Sequence, residues 1–169
     1  QGSLALVADV TESRRADTAI RESRLQMMRI LEGFPVPAFF IGKDHRVIHW
    51  NRAMEELTGI PSESVIGTHE HWRAFYAVER PCLADLLVEE NPQALSQWYE
   101  GKCRPWRLLD KAYEATDFFP DLGRDGKWLH FTAAAIRDSQ GALVGVIETI
   151  EDITERKRTE DELKESRQQ

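Results

Sequence analysis

Cysteine is scarce, with 2 in 169 residues. That excludes a disulfide framework and makes a reducing, cytoplasmic setting the expectation. Long apolar runs are missing too. The longest, residues 36–41, contains Pro37 and falls far short of a membrane span, so no membrane contact is expected within this stretch. Positive charge is outweighed, Lys plus Arg 22 against Asp plus Glu 29, and the basic residues form no block. The net charge of −7 therefore argues against nucleic acid as a partner. With Gly 10 and Pro 7, collagen-like and low-complexity character are excluded. No Gly-x-Ser-x-Gly elbow, no Gly-x-x-x-x-Gly-Lys loop and no His-Glu-x-x-His helix occurs, so no enzyme active site is expected. What is present is ring volume: Phe 7, Trp 5 and Tyr 3 suffice for a packed core.

One pattern occurs twice. Asp9-Val10-Thr11-Glu12-Ser13-Arg14-Arg15 reads like Asp152-Ile153-Thr154-Glu155-Arg156-Lys157-Arg158, and the ungapped match extends to Glu22-Ser23-Arg24 on Glu165-Ser166-Arg167. Both stretches read as a short β-rich run that ends at Asp and Thr, good helix caps, with Glu next to suit the helix dipole. A charged helix is expected to follow each. The first runs from about Glu12 to a stop at Gly33. Along it Ala16, Ile20, Ser23, Met27, Ile30 and Phe34 follow a narrow, coiled-coil-like spacing, which predicts pairing with a second copy of the chain. Gln1-Gly2-Ser3 lacks a starting Met and reads as a cloning scar. The expected organisation is therefore 1–11 the scar and the end of an upstream copy, 12–33 a linker helix, 34–154 a complete domain, and 155–169 a second linker helix.

Within the complete copy, residues 36–41 and 47–50 read as a strand hairpin. Asn51 caps a helix over 52–58, closed by Gly59, and Ser62 opens another turn that ends at Gly67. Residues 68–111 read as irregular or helical, with 91–99 the best helix. Strands are expected over 113–119, 127–137 and 142–150, joined as a meander. The order predicts an α+β fold: a five-stranded antiparallel sheet with helices on one face, flanked by terminal helices.

These landmarks resemble the PAS (S-box) sensory family. The resemblance rests on Asn51-Arg52-Ala53 after the hairpin, Leu57-Thr58-Gly59, Val65-Ile66-Gly67, Gly126-Lys127-Trp128, Asp138-Ser139-Gln140-Gly141, and Asp152-Ile153-Thr154-Glu155-Arg156-Lys157. It covers about residues 27–155, with 4–26 similar to the end of a preceding PAS copy. It implies a sensor or relay module of a multi-domain bacterial-type signal transduction protein, of the kind used in two-component systems. The downstream output domain would be a histidine kinase first and a diguanylate cyclase second, and the alternative is a structural dimerisation spacer without ligand. By the same resemblance Asp152 and Thr154, with Asp9 and Thr11 in the preceding copy, couple sheet to helix. The parent could be membrane-anchored elsewhere. The stretch between Gly67 and Tyr113 is longer than usual in the family, so no ligand identity carries over.

The sequence offers three site readings. Trp50, Trp72, Tyr76, Trp98, Tyr99 and Trp106, interleaved with Arg80 and Arg104, are candidates to line a small-molecule pocket. His69 and His71, with Cys82, Asp85 or Cys103, are the weak candidates for a metal; their spacing matches no known ligand pattern, and no metal is expected. The cofactor is left unknown. Haem is disfavoured because 91–99 holds no His. A photo-adduct flavin is disfavoured because Lys102 and Pro105 break the likeness of 101–106 to the Asn-Cys-Arg-Phe motif of light-sensing relatives.

Overall fold

The computed structural model describes residues 2–168. The chain divides into two compact units at Phe34 and Pro35. The first unit is one helix, α1 (Gly2–Gly33), without a buried residue. This corrects the β-rich run expected over 4–11. Thr11 is no cap there; its Oγ1 donates to the Val7 carbonyl one turn back, inside a continuous helix. The stretch is rich in Leu and Ala and holds no Pro, so helix propagates through it.

The second unit is built on a six-stranded antiparallel sheet. Its strands are β1 (Ala38–Gly42), β2 (Val47–Trp50), β3 (Cys103–Pro105), β4 (Ala112–Phe119), β5 (Lys127–Arg137) and β6 (Leu143–Asp152), in the spatial order β2-β1-β6-β5-β4-β3. The expected count of five is corrected by β3, a short edge strand that pairs Cys103 with Ala115. Pro105 is tolerated there because an edge strand needs no donor on its outer side. Gly145 is what lets β1 and β6 close up: a Cβ there would run into the Ile41 carbonyl.

Between β2 and β3 lie α2 (Arg52–Thr58), α3 (Ser62–Val65), a 3-10 turn (Glu70–Ala74), α4 (Leu83–Val88) and α5 (Pro92–Trp98). Asn51 caps α2 as expected, its Oδ1 accepting from Met54 N–H at 3.0 Å. The same oxygen accepts from Ala38 N–H at 3.0 Å, which ties the helix to β1. Gly59 ends α2 at φ 72°, in the left-handed region that favours glycine. Alternation along the strands turns Leu129, Phe131 and Ala133 of β5 and Val146, Glu148 and Ile150 of β6 into the core. There they meet Met54, Leu83, Leu86, Leu87, Leu95 and Tyr99 from the helices. The last element, α6 (Thr154–Gln168), leaves from the end of β6 and buries no residue. Among the described residues, no helix is long and apolar enough to cross a membrane.

Candidate functional site

Two places carry chemistry: a polar cluster under the helices, and the joint between β6 and α6.

The cluster starts from Asp85 in the first turn of α4. Its Oδ2 accepts from the Cys82 backbone N–H and faces His71 Nε2, both at 2.8 Å. Its Oδ1 meets His45 Nδ1, also at 2.8 Å. Burial works against the Asp85 charge, but the bonds from His71, His45 and Cys82 outweigh it and hold the carboxyl below its usual range. An ionised carboxylate only accepts, so His71 Nε2 is the donor. His71 is 2% exposed, and its Nδ1 is buried without a hydrogen-bond partner. The Cys82 thiol is buried beside it, and desolvation pushes it well above its ordinary range.

Beside this cluster, the Arg80 guanidinium lies over three rings: Tyr76 at 4.0 Å, Trp98 at 5.0 Å and Tyr99 at 5.2 Å. The Tyr76 and Tyr99 hydroxyls share a hydrogen bond at 3.0 Å. Such a cage satisfies the cation through ring quadrupoles rather than carboxylates. His45, His69, His71, Trp72, Arg80, Asp85 and Trp98 line a groove of about 600 Å³. Trp72 Nε1 and Arg80 Nε are further buried polar atoms without partners at this groove.

The pocket candidates thus divide. Trp72, Arg80 and Trp98 line the groove, and Tyr76 and Tyr99 stand under Arg80. Trp50 is a core residue, packed on Phe39 at 5.5 Å with its Nε1–H on the Ile60 carbonyl. Arg104 and Trp106 lie at the β3 edge, where Arg104 pairs with Glu114. Of the metal candidates, His71 and Cys82 come together with Asp85, their ligand atoms all within 4.8 Å of one another. His69 instead bonds the Asp44 carbonyl through Nε2, and Cys103 sits on β3.

Glu148 was not singled out by sequence reasoning. It is 3% exposed in the middle of β6, and its Oε2 accepts from the Ala84 N–H of α4 at 2.9 Å. Burial pushes its carboxyl up to about 8; the Ala84 bond opposes that and the nearby Asp85 charge adds to it. The signal lay in the strand period, since Val146 and Ile150 face inward and Glu148 falls between them.

At the joint, Asp152 Oδ1 accepts from both the N–H and the hydroxyl of Thr154, at 3.0 and 2.5 Å. Lys127 of β5 reaches Asp152 Oδ2 at 2.8 Å, and Trp128 N–H donates to Thr154 Oγ1 at 3.0 Å. Ile153, 3% exposed, donates its N–H to the Trp128 carbonyl, and Lys157 of α6 lies over the Trp128 ring. The first two residues of β5 therefore clamp the start of α6.

Comparison with known proteins matches this architecture. Residues 31–158 match the family described as PAS fold. The chain belongs to the PAS fold family. Among curated proteins it is similar to phytochrome B-2 of Glycine max, 22% identical over 132 residues, which is 78% of this chain and 10% of that protein. It spans about a tenth of the length of the curated relatives it matches. Among solved structures, the PAS domain of Bordetella pertussis BvgS superposes with a TM-score of 0.51 at 19% identity, covering 86% of this chain and 99% of that one. An RNA-binding light-oxygen-voltage receptor gives 0.55 at 20% identity, over 90% of this chain and 38% of that one. At these identities the likeness speaks for the fold.

Proposed function

We propose that this PAS domain is a sensor and relay module of a multi-domain cytoplasmic signalling protein, with a small molecule as its input. The input is taken up on the helical side, in the groove beside Arg80 or against the apolar wall of Leu86, Leu87, Leu95 and Tyr113. The latter wall bounds a cavity of about 280 Å³. The output leaves through α6 to a downstream domain, a histidine kinase as first choice and a diguanylate cyclase as second.

One observation carries the reading. A single strand, β6, holds Glu148 against α4 at its centre and Asp152 at the α6 joint at its end. A displacement of α4 by a bound molecule would therefore act on the strand that leads into the exit helix. The test is a metabolite screen by thermal shift, followed by Asp152→Ala in the full-length protein. The variant should still bind the molecule while output activity no longer responds to it. A normal response in the variant would refute the relay role.

A second reading is a dimerisation spacer without ligand. It draws on α1, which exposes Ile20, Met27 and Ile30 along one spacing. A screen that yields no shift, together with a dimer that depends on α1, would favour it.

A further inference from the structure

We propose that His71, Cys82 and Asp85 form a binding site for a borderline transition-metal dication, Zn²⁺ or its mimic Co²⁺. This inference does not depend on the relay reading. The donor set is one ring nitrogen, one sulfur and one carboxylate oxygen, the mixture such ions take in tetrahedral sites. The three ligand atoms lie within 4.8 Å of one another; His71 and Cys82 are buried, and the Asp85 side chain is 13% exposed at the groove. Tetrahedral zinc bonds of about 2.0–2.3 Å place ligands about 3.3–3.7 Å apart, so modest side-chain movement closes the set.

The nitrogen that can share an ion with Asp85 is His71 Nε2, already 2.8 Å from Asp85 Oδ2. Without an ion it donates to that carboxylate; coordination moves the ring proton to Nδ1, which has no partner and so gives up no hydrogen bond. Charge also balances. On binding, the Cys82 S–H bond breaks, its proton leaves to solvent, and a sulfur–metal bond forms. Thiolate and carboxylate then cancel the dication, so the buried site carries no net charge. Entry is from the groove that His45, His71 and Asp85 line, where His45 holds the second Asp85 oxygen. An ion there would fasten the 3-10 turn Glu70–Ala74 to the start of α4.

Two thiols in the chain make the test clean, because only Cys82 belongs to the set. The reduced, chelator-stripped 169-residue protein is titrated with Zn²⁺ against a chromophoric chelator, and with Co²⁺ by absorption. The expected result is one ion per chain, about one proton released, and a sulfur-to-cobalt charge-transfer band. Cys82→Ser and His71→Ala should weaken binding at least 100-fold, whereas Cys103→Ser and His69→Ala should change it less than threefold. Failure of the wild-type protein to bind, equal binding by Cys82→Ser, or a band lost in Cys103→Ser overturns the proposal. If Cys82→Ser or His71→Ala does not fold, the Co²⁺ spectrum of Cys103→Ser decides. Cys82 is then the sole thiol: a charge-transfer band supports the site, and its absence refutes it.

Discussion

Glu148 shows how one inward position in a strand sets a pH dependence. In the unfolded chain its carboxyl titrates near the ordinary 4.5, whereas burial holds the folded form up to about 8. Below the lower value both states are protonated and nothing is lost. Between the two, the folded protein keeps a proton that the unfolded chain releases, so stability falls as pH rises, and it levels off above the upper value. Denaturant unfolding in the presence of a chelator should show a loss of about 1–3 kcal/mol from pH 5 to 8. Glu148→Gln keeps an acceptor for the Ala84 N–H and removes the ionisation. It should abolish most of that slope and be the more stable protein at pH 8. A wild-type profile that is flat across this window would show that Glu148 ionises in the fold without cost.

At the level of elements, what the sequence disclosed was local. Asn51 and Gly59 delimit α2 because cap and stop chemistry acts over a few residues, and β5 carries a period-two burial pattern. What stayed hidden depends on distant partners. Leu83–Val88 is apolar almost throughout, so α4 shows no amphipathic period and is a helix only because the sheet covers it on one side and neighbouring helices on the other. Cys103–Pro105 becomes a strand only through β4. The polar cluster is similar: His45, His71 and Asp85 come from three separate segments, and only the packing of α4 joins them.

The β6–α6 joint was legible in Asp152 and Thr154, but its clamp, Lys127 and Trp128, lies across the sheet. Partial burial opposes the Asp152 charge, while the bonds from Lys127 and Thr154 outweigh it, so its carboxyl titrates below the usual range. Its contribution is complete above the ordinary carboxylate range and is lost as pH falls through the lowered value. Asp152→Ala should cost about 1 kcal/mol as a lost cap, leave the sheet intact, and raise amide exchange in the first turn of α6. Unchanged exchange there would mean that Trp128 alone holds the joint.

For the whole molecule, the open question is what covers α1. The helix buries no residue within its own unit, yet Ile20, Met27 and Ile30 stand 52%, 63% and 63% exposed. Ala16 and Ser23 share their 4-3 spacing, which produces a narrow seam rather than the broad face of a helix that lies on a sheet. We propose that a second copy covers this seam across a two-fold axis, the commonest closed assembly. Because Ala16 and Ser23 bury little, the dimer of the isolated chain should be weak and concentration-dependent. In a longer protein with neighbouring modules, effective concentration would tighten it without new contacts. Sedimentation of the chain against an Ile20→Asp, Met27→Asp double variant separates the possibilities. Two aspartates set against their own copies across the axis repel, so the variant should remain monomeric where the wild type associates, with the β-sheet unit unchanged by circular dichroism. A wild type that stays monomeric at millimolar concentration, or a variant that dimerises equally well, would show that the seam is not the interface.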